Sequence, residues 1–85
     1  MDKDERLGYE DEEYLRVLGV NLAKARKKKG VSQLALALDS GVARSYIADL
    51  ERGKRNPTLL TLRKVCKPLG IEPRSLLPRQ KGEIA

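Results

Sequence analysis

Residues 44–56, RSYIADLERGKRN, gather the side chains with the most chemistry to offer. Ile47 and Leu50 stand three apart, so in a helix they share one face and turn it to a core. Arg44, Ser45, Ala48, Asp49 and Arg52 fall on the other face, which is small, polar or charged and suits a polar partner. Arg44, at the start of this helix, can give two parallel hydrogen bonds to guanine O6 and N7, and Ser45 can reach almost any base or a phosphate. Asp49, one turn beyond Ser45, can accept from cytosine N4, or can instead orient Arg44 or Arg52. Tyr46 has two readings, a hydroxyl on a phosphate or a ring packed on the preceding helix. After Gly53, the loop residues Lys54, Arg55 and Asn56 can reach a phosphate backbone with side chains and amides, adding affinity and register without sequence information.

Such a face acts only if something holds it. The preceding stretch, SQLALALDSGV over 32–42, reads as a second short helix. Ser32 is a suitable N-cap for the amide of Leu34 or Ala35, and Leu36 and Ala37 are its inner positions. Gly41 stops it where a left-handed residue is needed. Gln33, in the first turn, can donate to a phosphate or base edge where the helix end also favours an anion, or can simply be solvated. Helix, tight glycine turn, helix is the form of a helix-turn-helix, whose second helix enters the DNA major groove. Short helical hairpins of other kinds share that spacing.

The residue detail goes further. The run resembles the Xre and phage-repressor class of helix-turn-helix regulators through Ser32-Gln33, Leu36-Ala37, Gly41-Val42, Ile47, Leu50-Glu51-Arg52-Gly53-Lys54 and Pro57, and the wider resemblance covers about residues 15–77. It implies a five-helix, all-α bundle with the helix-turn-helix at its centre. It also implies an ion pair between Arg26 and Glu51 that locks the first helix to the recognition helix. In that class the C-terminal end of the domain pairs with a twofold mate, which makes Leu60, Leu76 and Leu77 dimer candidates, or else residues that close the core of one chain. Leu34 and Leu38 depart from the family pattern, which places polar residues there. They form a ridge that packs on the first helix or a tail, or that meets a protein partner.

Length and composition agree with one small domain. The chain has 85 residues, room for one modest core and no separate catalytic domain. Without Phe or Trp, the core must come from Leu, Val, Ile and Ala. Glycines and prolines cut the chain into helix-length pieces, and no alternating β-branched run suggests a strand. One cysteine, Cys66, and no histidine leave no disulfide framework, no zinc set and no cofactor motif. Cys66 reads as a core residue, and the usage suits a reducing cytoplasm. The acidic N-terminus lacks an apolar signal region, and no stretch approaches the ~20 apolar residues of a membrane span.

Charge is unevenly divided. Residues 1–13 hold seven carboxylates against Lys3 and Arg6, a net of −5, and the remainder holds 16 basic and 5 acidic side chains, or +11, which together give the overall +6. The basic part attracts polyanions.

In chain order, residues 1–11 read as a mobile acidic tail, 12–78 as the folded domain and 79–85 as a frayed end. The first helix should run from Glu12 to Lys29 on Leu15, Leu18, Leu22 and Ala25, with acids at its start and lysines at its end suiting the helix dipole. A fourth helix should begin at Thr58 and bury Leu59, Leu62, Val65, Cys66 and Leu69, ending near Lys67 because of Pro68. A short fifth should start at Pro73 and end at Leu76 and Leu77.

The expected function is sequence-specific regulation of transcription by a homodimer on an inverted repeat of duplex DNA, with half-sites about one helical turn, ~34 Å, apart. The size and helix number also resemble the controller proteins of restriction–modification systems. The alternative is an antitoxin-like protein-interaction module with DNA binding secondary. An enzyme is disfavoured, since no histidine, glycine-rich phosphate loop or paired-carboxylate site accompanies the lone apolar-flanked cysteine.

Overall fold

Four α-helices make up most of residues 9–79, the part of the chain that the computed structural model describes. They are α1 (Tyr9–Lys29), α2 (Gln33–Ser40), α3 (Arg44–Glu51) and α4 (Leu59–Cys66). Two 3-10 turns follow, Lys67–Leu69 and Pro73–Ser75, and no strand occurs among the described residues. The tail expectations for 1–8 and 80–85 lie outside the described residues.

Local chemistry explains most of the helix ends. Glu10, Asp11 and Glu12 occupy the first turn of α1, where carboxylates meet the positive end of the dipole. Among the described residues the helix already includes Tyr9, three residues before the expected Glu12. Glu13 adds an i,i+3 pair with Arg16 (2.6 Å), which holds the Glu13 carboxyl below its ordinary value. The Ser32 hydroxyl accepts from the Ala35 amide (3.0 Å), and Gly41 ends α2 at φ 75°, in the left-handed region. Thr58 caps α4 by accepting from the Thr61 amide (3.1 Å).

The C-terminal end corrects the helix count. Pro68 has no amide to donate and crowds the carbonyl four residues back, so α4 stops at Cys66 and the chain tightens into a 3-10 turn. The expected fifth helix is only the 3-10 turn Pro73–Ser75. Pro78 disfavours helical geometry at Leu77, leaving room for a single turn after Pro73. Asn21 Nδ2 donates to the Leu76 carbonyl (2.9 Å), fastening this end to α1.

The core consists of Leu18, Leu22, Leu36, Ile47, Leu50, Leu62, Val65, Cys66, Leu69 and Leu76, with Leu15, Ala25, Val31, Ala37, Val42 and Ile71 packed around it. Burial pushes the Cys66 thiol up to about 11, which keeps it protonated and unreactive at neutral pH. Leu59 is a correction: it continues the α4 stripe but lies in the first turn, uncovered, and is 71% exposed.

Gly19, in the middle of α1, sets the depth of packing. A Cβ there would stand 2.3 Å from the Leu50 carbonyl oxygen and 2.6 Å from that of Glu51, so only glycine lets the end of α3 approach α1 this closely. Gly53 serves the same crossing twice over, with φ 76° and a hypothetical Cβ 2.8 Å from the Arg16 Cα. Gly19→Ala should therefore destabilise the protein, although alanine favours an isolated helix by about 1 kcal/mol. The overpacking cost of about 1–3 kcal/mol or more must exceed that gain, because both clashing atoms are backbone. Urea unfolding checks this: a variant as stable as the wild type would show that the helices do not cross at this distance.

Candidate nucleic-acid interface

The site begins with how α3 is held. Glu51, its last residue, is buried against α1 and accepts from Arg26 through both oxygens, Nε to Oε2 at 2.7 Å and Nη2 to Oε1 at 3.1 Å. The fork geometry matches a carboxylate and fixes direction as well as distance. Arg26 Nη1 also donates to the Val31 carbonyl (2.8 Å), tying the α1–α2 turn to the same group. The hydrogen bonds that Arg26 donates to Glu51, outweighing the opposing effect of burial, raise Arg26 above its ordinary value. As pH rises, its contribution to stability is therefore retained up to that ordinary value and is lost in stronger base.

Gln33 joins this group. Its Nε2 donates to Glu51 Oε1 at 2.9 Å, so its first commitment is inside the protein and not to solvent. An amide retains a second N–H and a carbonyl, so capacity toward an outside group remains. This bond holds the start of α2 against the end of α3. The sequence carried no direct sign of it, beyond the i to i+18 partnership that a helix-turn-helix register brings together.

With its C-terminal end fixed, α3 turns its other face outward. Gln33, Arg44, Ser45, Asp49 and Arg52 border one shallow groove with Glu51 at its base. Arg44 and Ser45 are exposed at the helix start, and Arg44 has no hydrogen-bond or ion-pair partner among the described residues. Asp49 is instead engaged by two arginines, Arg52 and Arg55, the latter at 3.5 Å, so of the two arginines considered for it, Arg52 and not Arg44 is the partner. The Tyr46 ring is half-buried against the core, with the Arg55 guanidinium 4.9 Å from its centre.

Lys54, Arg55 and Asn56 form an exposed loop beyond Gly53. The Lys54 amide is not available outward, because it donates to the Asp49 carbonyl (2.9 Å) and closes α3; its side chain is. Of the two readings given for the dimer candidates, Leu76 at 1% exposure fits the core of its own chain, whereas Leu60 and Leu77 are exposed. Leu34 and Leu38 are 56% and 75% exposed. No cluster of residues able to hold a metal ion exists among the described residues, and no described helix is long and apolar enough to cross a membrane.

Residues 22–76, which carry α2, α3, α4 and the network around Glu51, match the family model described as Helix-turn-helix. The chain belongs to the helix-turn-helix family. Within this family it is similar to control protein C.SmaI of Serratia marcescens, 41% identical over 64 residues that cover 75% of this chain and 76% of that one. It is also similar to control protein C.BamHI of Bacillus amyloliquefaciens, 44% identical over 50 residues, 59% of this chain and 62% of that protein, so it spans less than two thirds of that relative. Among solved structures, the restriction–modification controller protein C.AhdI of Aeromonas hydrophila superposes with a TM-score of 0.72 at 44% identity, over 74% of this chain and 96% of that one. The helix-turn-helix here is of the Xre type, the class that the sequence run resembled.

Arg26→Ala should destabilise the domain by about 3–5 kcal/mol, since it leaves the Glu51 carboxylate buried with only Gln33 beside it. Replacing both partners with similarly sized apolar residues, Arg26→Met with Glu51→Leu, should cost much less. Denaturant unfolding of the single and double variants decides the point; a double variant as unstable as the single would contradict the uncompensated-charge explanation.

Proposed function

We propose that this chain is a sequence-specific, duplex-DNA-binding regulator of transcription that acts as a homodimer on an inverted repeat. The observation carrying this reading is the single groove that Gln33, Arg44, Ser45 and Asp49 line along the outward face of α3, backed by a folded part of strong positive charge. Arg44, without a partner among the described residues, is suited to a bidentate bond with guanine, and Ser45 to a neighbouring base or phosphate. Lys54, Arg55 and Asn56 would contact the phosphate backbone, and the spare N–H of Gln33 a phosphate or base edge at the start of α2. The names of the relatives, control proteins and a restriction–modification controller, support a regulator of that kind.

Dimerisation is supported by the exposed leucines at one end of the molecule. Leu59 and Leu60 stand on α4, and Leu77 follows the 3-10 turn that packs on α4. To serve an inverted repeat, a twofold contact between such patches would have to set two α3 helices about 34 Å apart, one turn of DNA. Leu60→Glu and Leu77→Glu should each shift the chain to monomer in sedimentation equilibrium without lowering its helicity; a wild type that sediments as a monomer at every concentration contradicts the dimer.

A second reading, an antitoxin-like module that masks another protein, is favoured by the exposed α2 leucines Leu34 and Leu38. Their replacement by Glu would abolish such masking and leave DNA affinity intact.

Selection from a random duplex pool tests the main reading. The winner should be palindromic, and Arg44→Ala should cost about 1–3 kcal/mol and relax preference at one position per half-site. Lys54→Ala should keep the preference and make the salt dependence shallower by about 0.9 in log–log slope for each phosphate it no longer neutralises. Enrichment of no sequence, with weak binding governed by salt alone, would overturn it.

A further inference from the structure

Asp49 lies on the outward face of α3, one turn beyond Ser45, and both of its carboxylate oxygens face guanidinium groups. Oδ1 accepts from Arg52 Nη2, and Oδ2 lies 3.5 Å from Arg55 Nε. Arg55 is held on a second side, its guanidinium carbon 4.9 Å from the centre of the Tyr46 ring. Arg44 has no comparable restraint.

This geometry sets the charge and the freedom of the group. A lone carboxylate on a DNA-facing surface would repel phosphates, but Asp49 with two arginines forms a cluster of net charge +1, which attracts them. Both Asp49 oxygens already face a cation, so a cytosine amine would have to share an oxygen with an arginine through its second lone pair. A guanidinium fixed at its edge by a carboxylate and at its face by a ring has already lost rotamer freedom, so it gives up less when it meets an anion.

We propose that Asp49 is a positioning residue: with the Tyr46 ring it holds Arg55 ready for a DNA phosphate and does not itself read a base. This rests on the DNA-binding reading above. It assigns the two ends of α3 different tasks, sequence reading by the unrestrained Arg44 and register by the restrained Arg55.

The test measures duplex affinity for wild type, Asp49→Asn, Arg55→Ala and the double variant, on the selected site and on duplexes altered at each position. Asparagine keeps the size of the side chain while removing its charge. Positioning predicts that Asp49→Asn binds every sequence about three- to fivefold more weakly, the upper part of the range of an exposed ion pair, despite its extra positive charge. It predicts little further weakening when Arg55 is already alanine. Tighter or unchanged binding by Asp49→Asn overturns the proposal, as does a weakening confined to one base position, which would make Asp49 a base reader.

A DNA-free readout separates the clamp from its role on DNA. The side-chain Nε–H signal of Arg55 in an NMR spectrum should be shifted from that of a free arginine, and should move toward it in Asp49→Asn and in Tyr46→Leu. A free-arginine signal in the wild type overturns the clamp itself. A clamp seen by NMR in a chain that binds no duplex overturns the DNA reading and, with it, the assigned role of Arg55.

Discussion

The architecture depends on the docking of the C-terminal end of α3 against α1. Three contacts define it: the Leu50 and Glu51 carbonyls lie over Gly19, the Gly53 backbone crosses at Arg16, and the Glu51 carboxylate is gripped by Arg26 and Gln33. Glycine sets the distance and the bidentate pair sets the direction. A buried ion pair adds little net stability compared with apolar residues of the same shape, because desolvation offsets its attraction. Its effect here is specificity: one register of α3 on α1 satisfies the fork, and no buried side-chain polar atom among the described residues lacks a hydrogen-bond partner.

Function then follows from which end of α3 is left free. The buried Glu51 node orients the helix so that Arg44 and Ser45 project from its other end, beside the first turn of α2. The arginines divide into distinct chemical roles according to their surroundings. Arg26 is interior scaffold, Arg52 and Arg55 share Asp49 at the surface, and Arg44 is unrestrained. Identical side chains thus sit in three different environments: buried and forked, paired at the surface, and free.

Much of this was legible in the sequence because it is local. Ser32, Gly41 and Thr58 announce helix ends through their own backbone chemistry, and the 3-4 spacing of Leu18, Leu22, Leu62, Val65 and Cys66 marks the buried stripe. What failed was non-local or marginal. Leu59 obeys the stripe, yet periodicity does not say where the neighbouring helices end. The segment after Pro73 looked like a helix start, but Pro78 closes it after one turn. Gly19 has no local sign of its partner, although a glycine inside a helical pattern carries a cost that calls for a packing reason. Leu76 and Leu77 are adjacent leucines whose opposite fates are set by the turn that points one inward. The Asp49–Arg55–Tyr46 group joins a loop side chain to two helix positions, and only the fold brings those together.

A backbone and arginine side-chain NMR titration of the labelled chain with its selected duplex puts this docking to the sharpest test. If α3 is docked by its C-terminal end and presents its N-terminal end to DNA, the largest shifts should fall at Gln33, Arg44, Ser45 and residues 54–56. Gly19, Leu22 and the Arg26 side chain should barely move. Shifts concentrated instead on α4, or on Leu34 and Leu38, would place the partner on another surface and contradict this division of α3 into a docked end and a reading end.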